Sequence, residues 1–300
     1  MGAGIKKEKR CLYGIDWRPE RLWIACLSTA LILMAWAATV HAADELKAQE
    51  KRSGWNITLV PYIWALSETG SVTVKGQETD VNVTPDEMIS KLNGALMLDV
   101  DVRKGRFGGL INTFYAGVGD EESAQVLLEN ITFDTDIKMI MMNANVYYRL
   151  GPYGLGKASS KKGTPAVSVD PYIGARYTDM DVKLNVSITN RLTGNTASSS
   201  FQDRASWTDP IVGARTTWDL FRRWNVVLMG DIGRFGVGSD FAWSATLLGG
   251  YRFHFSRHID GNMLFGYRAL YQDYTEDSGS DRFEYDATMH GPIVGVAIGF

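Results

Sequence analysis

Ten charged side chains sit at alternating positions within otherwise apolar segments: Asp99, Asp101, Arg103, Asp170, Arg176, Asp209, Arg215, Asp231, Arg252 and Arg268. In a β-strand, residues two apart share a face. Each of these charges therefore points away from the apolar neighbours on either side of it. Five acids and five arginines gathered on one face can neutralise one another through bidentate carboxylate–guanidinium pairs. Two kinds of chemistry follow. Fully paired, the charges form a polar core that shuts a narrow lumen. Hydrated, they form a charged constriction that selects small ions or solutes.

Other chemistries have less to work with. Hydrolysis needs a nucleophile within reach of a histidine or of paired acids. Beyond residue 42 the histidines are His254, His258 and His290. His290 could approach Ser239 or Asp286, which keeps a lipid-modifying enzyme as an alternative. The expectation is nevertheless no enzyme and no catalytic residue. No His/Cys/Asp/Glu cluster has metal-ligand spacing, so neither a metal nor a cofactor is expected. Gly233-Arg-Phe-Gly236-Val-Gly238 opens no helix after a strand. It predicts a tight turn between strands, not a phosphate cradle.

The 300 residues are 45% hydrophobic and 22% charged, with a formal charge of −3 and no basic block. Nucleic-acid binding therefore has no footprint. The only cysteines, Cys11 and Cys26, lie in a segment that reads as an export signal. There, six basic groups lead into the uncharged run Leu22–Val40, and small residues follow at Ala42 and Ala43. That order predicts a signal peptide over 1–42, cut between Ala42 and Ala43. An uncleaved anchor is the alternative, since the run is just long enough to span a bilayer. After cleavage, 25 basic groups face 31 acidic ones, a net −6, and no cysteine remains.

The elements that position the charges are alternating segments of about ten residues. Ten are expected at 55–66, 95–103, 107–118, 131–149, 167–180, 207–218, 224–234, 239–254, 259–273 and 284–300, although eight or twelve also fit the pattern. Short turns alternate with long polar connections at 67–93, 119–130, 187–206 and 274–283, as in an up-and-down membrane barrel. In 131–149 the polar phase breaks around Met139–Met142. A bulge, or a strand leaving the membrane, would account for the break. Val72–Val74 and Val81–Val83 suggest a small hairpin. Thr84-Pro85-Asp86-Glu87 opens a short helix over 85–92, with Thr as N-cap and Pro at N1. That helix is either a flap of the first loop or a lid or plug over the mouth.

A soluble sandwich would also alternate. Two features favour a transmembrane antiparallel barrel over 55–300, preceded by a periplasmic segment at 43–54. Aromatics crowd the strand ends, where membrane girdles form: Trp55, Tyr62, Trp64, Tyr177, Trp207, Trp218, Trp224, Trp243, Tyr251, Tyr267 and Tyr271. In addition, the face opposite the apolar one is charged and small.

Several stretches carry a resemblance to a known family. They are Trp207-Thr-Asp209-Pro210-Ile-Val-Gly213-Ala-Arg215, Gly230-Asp231-Ile-Gly233 through Trp243, Gly266-Tyr267-Arg268 and Met289-His-Gly291-Pro292. Over about 55–300 the chain resembles a family of Gram-negative outer-membrane β-barrel proteins, and more distantly the small opacity-type barrels. It departs from the pattern at Arg234, where a glycine is expected. The terminal strand, with Val296, Ile298 and Phe300, resembles the assembly signal of such proteins. The resemblance implies location in the outer membrane. It implies outer-membrane lipid, lipopolysaccharide and the barrel-assembly machinery as partners. It also implies a structural, adhesive or narrow-pore role, with a porin-like solute channel as the alternative.

Overall fold

The computed structural model describes residues 54–74, 77–126, 129–155, 165–190, 192–193, 195–254, 260–276 and 282–300. The export signal at 1–42, its Ala42/Ala43 junction and all but the last residue of the 43–54 segment lie outside the described residues.

Thirteen strands and one helix follow in order. They are β1 (Trp55–Trp64), β2 (Ser67–Val74), β3 (Gln77–Val83), α1 (Pro85–Ser90), β4 (Leu92–Lys104), β5 (Phe107–Val126), β6 (Glu129–Tyr148), β7 (Leu150–Gly154), β8 (Ala166–Asn190), β9 (Thr196–Asp219), β10 (Trp224–Gly233), β11 (Phe241–His254), β12 (Asp260–Glu276) and β13 (Phe283–Gly299). Ten of them close a ring of antiparallel neighbours in the order β1, β4, β5, β6, β8, β9, β10, β11, β12, β13. β1 seals the ring by pairing with both β4 and β13. These are the ten segments that the alternation predicts. Closure leaves no exposed sheet edge within the ring, which lipid requires.

β1 and β2 are one rail. Trp64 lies opposite Ile293 and Ser67 opposite His290, and the Ala65 N–H donates to the Pro292 carbonyl at 2.9 Å between them. β3 folds back on β2 alone, from Val74↔Gln77 to Glu68↔Val83. α1 then returns the chain to the wall. At its start, Glu87 Oε2 accepts from the Thr84 N–H at 2.9 Å and from Thr84 Oγ1 at 2.8 Å. Those bonds hold the Glu87 carboxyl below its ordinary range.

The strands are much longer than a bilayer needs. A tilted strand crosses with about 9–11 residues, whereas β8 has 25 and β9 has 24. Two stretches expected as loops are therefore largely strand. Over 119–130, β5 and β6 stay paired out to Val126↔Glu129. Over 187–206, β8 and β9 stay paired out to Thr189↔Thr196. Ser- and Thr-rich sequence reads as loop because it has no apolar face. Above a membrane the ladder itself satisfies the backbone, and both faces can be wet.

The polarity of the wall reverses with height. On β6 the outward residues Tyr148, Val146, Ala144, Met142 and Ile140 are exposed and apolar, a nine-residue rise. The next outward positions are Lys138, Asp136, Asp134 and Thr132. The register against β5 and β8 runs without a shift through this point. The phase break at Met139–Met142 is thus a change of surroundings, not a bulge. Below it the barrel is apolar outside, with exposed Ile57, Ile111, Ile173, Leu228, Leu247 and Phe265. Ring pairs Phe107–Tyr148 and Trp224–Tyr251, each 5.0 Å between centroids, flank that belt near the short-turn side.

Above the belt, Asp273 on β12 lies directly opposite Asp286 on β13. Burial, together with the carboxylates of Asp286, Asp240 and Glu284, raises the Asp273 carboxyl above its ordinary range. A raised carboxyl stabilises the fold only while protonated, so its contribution is present in acid and lost as pH rises through its own titration. Asp273→Asn should therefore slow amide exchange at the upper β12–β13 pairs at pH 7. The difference from the parent should close below about pH 4, where free carboxyls protonate.

Candidate functional site: the lumen and its closure

All ten charged residues predicted to face the lumen have the inward parity of their strands, but they pair differently from the expected five-by-five set. Near the short-turn end, Arg252 pairs with Asp219, and Arg103 Nη1 donates to the Gly105 carbonyl at 2.9 Å. One level up, Arg149 grips Asp170 with two parallel bonds, Nε to Oδ1 at 2.8 Å and Nη2 to Oδ2 at 2.7 Å. Arg215 bridges the wall by donating to Asp170 Oδ2 at 2.8 Å and to Asp101 Oδ2 at 2.7 Å. Its guanidinium lies 4.8 Å from the Tyr147 ring centre, and Tyr147 Oη donates to Asp101 at 2.7 Å. A side chain at Gly108 would collide with the Tyr147 ring, so the glycine makes room for it.

At mid-height Arg176 is wholly buried. Its Nη2 donates to Asp231 Oδ1 at 2.5 Å and its Nε to Asn143 Oδ1 at 3.1 Å. Asp231 also accepts from Tyr172 Oη at 3.0 Å and from Ser244 Oγ at 2.6 Å. Gly213 leaves the space that the Tyr172 ring occupies. Asn112 links Asn143, Tyr62 and Asp99. Arg268 forms no salt bridge among the described residues: it donates to Tyr62 Oη at 3.3 Å and Asn112 Oδ1 at 3.4 Å, over the Trp64 ring at 4.9 Å. Asp209 forms no salt bridge with an arginine among the described residues. It takes the Ser239 N–H at 2.6 Å and Oγ at 2.5 Å, with Gln272 at 3.5 Å. That contact fixes the β10–β11 turn, where Gly238 has φ +78° and a side chain would strike the Thr208 carbonyl. The ten charges thus share one face, with fewer direct ion pairs than a five-by-five set would make. The expected set lacks Arg149 and Asp219, whose parity matches their strand neighbours, and the neutral groups Asn112, Asn143, Tyr62, Tyr147 and Tyr172.

Below this layer a polar cavity of about 330 Å³ runs among Asp99, Asp101, Arg103, Arg149, Arg215 and Arg268. Above it the inward face becomes apolar, contrary to the expected charged and small lining. Trp64, Phe114, Met141, Trp207, Leu270, Tyr285 and Met289 pack into one buried cluster. Tyr62, Trp64 and Trp207, expected in the lipid-facing girdle, point inward and are buried. Trp207 stacks on Tyr274 at 4.3 Å, and Trp64 meets Phe114 edge-on at 5.7 Å. Met141 stands between the outward Ile140 and Met142, so the cluster begins at the top of the belt and continues above it, where the fold buries its apolar groups inside as a soluble β-protein does. Met88 of α1 packs against the same cluster. Beyond it, at the long-loop end, lies a second cavity of about 820 Å³.

A closed antiparallel ring with an apolar belt outside and ion pairs inside is the outer-membrane architecture. The chain is an outer-membrane β-barrel. No family model matches it, and no curated protein matches it. Among solved structures it is similar to the outer membrane protease OmpT from Escherichia coli, with TM-score 0.45 and 10% identity over 83% of this chain and 98% of that one. It is also similar to Ail, the attachment invasion locus protein of Yersinia pestis, with TM-score 0.29 and 11% identity over 83% and 99%. A Pseudomonas aeruginosa FadL homologue gives TM-score 0.29 and 9% identity over 82% and 90%.

The catalytic alternative loses its geometry in this barrel. His290 has outward parity, and its Nδ1 lies 2.7 Å from Tyr267 Oη. Ser239 is buried with Asp209 on the inner side. Asp286 stands four residues along β13 from His290, about 13 Å at strand rise. Among the described residues no group of three His, Cys, Asp or Glu is placed to hold a metal. The terminal strand closes on β1 through the Phe300 N–H to the Ile57 carbonyl at 2.9 Å, with Val296 and Ile298 on the outward face.

Proposed function

We propose that the barrel is closed and non-conducting, and that its role is structural or adhesive, exerted by the strands that rise above the membrane. The observation that carries this reading is the mid-lumen layer. Arg176, Thr178 and Gln272 have no exposed surface there, and Thr178 stands opposite Trp207 and Gln272 opposite Ala287, both members of the apolar cluster. Water that enters the polar cavity from the short-turn side meets a packed floor, and ions gain nothing from an apolar constriction. The partners this reading calls for are outer-membrane lipid and lipopolysaccharide around the belt, and the barrel-assembly machinery during insertion. The exposed β8–β9 tip, rich in Ser and Thr, is the surface offered to other cells or matrices. Proteoliposome swelling tests the closed reading. Vesicles carrying the folded chain should swell in sugars and amino acids no faster than empty vesicles. Solute-selective swelling would replace this reading with that of a porin-like channel.

A further inference from the structure

The cavity at the long-loop end is not used by the closed-barrel reading. Its volume, about 820 Å³, falls within the range of small-molecule sites, roughly 300–1,000 Å³. Leu66, Val72, Met88, Phe114, Val118 and Met139 give it an apolar lining. Polar groups, among them Thr79, Asn82, Thr135 and Gln202, interrupt that lining. One of these polar groups is a carboxyl held in place by a buried partner. Glu68, inward on β2, accepts from Tyr285 Oη at 2.8 Å through Oε1. Its second carboxylate oxygen accepts no hydrogen bond among the described residues. Tyr285 is itself fully buried, which fixes the carboxyl in place. Among the described residues, the charged groups around the space are three acids, Glu68, Glu87 and Asp203, against one base, Lys91. That balance disfavours an anionic head.

We propose that this outer cavity binds a small amphiphile with an apolar body and a single amine head, which Glu68 receives. The body replaces the contacts an empty apolar cavity lacks, and the head supplies the donor that the unbonded carboxylate oxygen can accept. The proposal goes beyond the closed-lumen reading and is independent of it, since binding above the apolar cluster requires no path through the barrel.

The test uses the folded chain in zwitterionic lipid nanodiscs, titrated calorimetrically against an empty-nanodisc blank. The probes are dodecylamine, dodecanol and dodecanoate. Dodecylamine should bind saturably, one per chain, at least tenfold tighter than dodecanoate. Glu68→Gln should remove at least tenfold of the amine affinity and leave dodecanol binding in place. Val118→Trp, which takes up part of the space, should weaken binding of both; a heat-modifiable gel shift verifies that each variant is folded, and Glu68→Gln alone decides if Val118→Trp fails to fold. Absence of saturable amine binding, equal affinity for dodecanoate, or an unchanged Glu68→Gln affinity would each overturn the proposal. Unchanged affinity for both amine and alcohol in a folded Val118→Trp barrel would overturn it as well.

Discussion

Arg176→Met should destabilise the barrel by about 3–5 kcal/mol, the cost of leaving a buried carboxylate without its cation. Arg176 has no exposed surface, and Asp231 keeps only the hydroxyl donors of Tyr172 and Ser244 once the guanidinium is gone. The double change Arg176→Met with Asp231→Asn removes the orphaned charge while retaining a group that can bond Tyr172. It should recover up to about 3 kcal/mol of the loss, the upper range for directly coupled pairs. Urea unfolding in lipid vesicles, followed by tryptophan fluorescence, measures both. A single variant that costs less than about 1 kcal/mol would mean that the mid-lumen is wet enough to solvate Asp231.

Phe114→Ala is the second large effect, again about 3–5 kcal/mol, from lost transfer energy plus the void left behind. Phe114 is 1% exposed and packs against Trp64 within the apolar cluster. It faces inward although its neighbours Ile111 and Phe107 face outward and are exposed. Ile111→Ala, on the lipid side, should cost less than half as much, because acyl chains close over the missing methyl groups and no void remains. Equal costs at the two positions would mean that the inner cluster is not packed to protein density. The lumen should stay shut in Phe114→Ala, since the buried side chains of Arg176, Thr178 and Gln272 are untouched.

Much of this architecture is legible in the residues. Asp99-Val-Asp101-Val-Arg103 can be only a strand with two chemically different faces, and similar alternation fixes the ten wall strands. The short helix at Pro85 follows from Thr84 and Glu87. The second polarity inversion is not legible, because alternation identifies two faces without saying which one meets lipid. Trp64 and Trp207 look like girdle residues by type. They are core residues because the inside is already dry at the top of the belt, where Trp64 stands beside the exposed Ile63, and stays dry above it, where Trp207 stands between Ser206 and Thr208. The same ambiguity hid the extended strands at 119–126 and 196–206. Their polar residues carry no signal of burial, and their order comes from ladder pairing with neighbours far away in sequence. The pairing partners inside the lumen were equally hidden. Parity placed Arg268 and Asp209 inward, but only the curvature of the closed ring sets Arg268 over Trp64 and Asp209 against Ser239.

The account rests on a lumen that is polar below, apolar above and sealed between. Single-channel recording in a planar lipid bilayer tests that most directly. The folded chain, inserted at defined copy number, should give a flat current at 100 mV in 1 M KCl, with Arg176→Met equally silent because the apolar cluster still closes the path. Discrete, reproducible conductance steps from the unmodified chain would contradict the closed barrel.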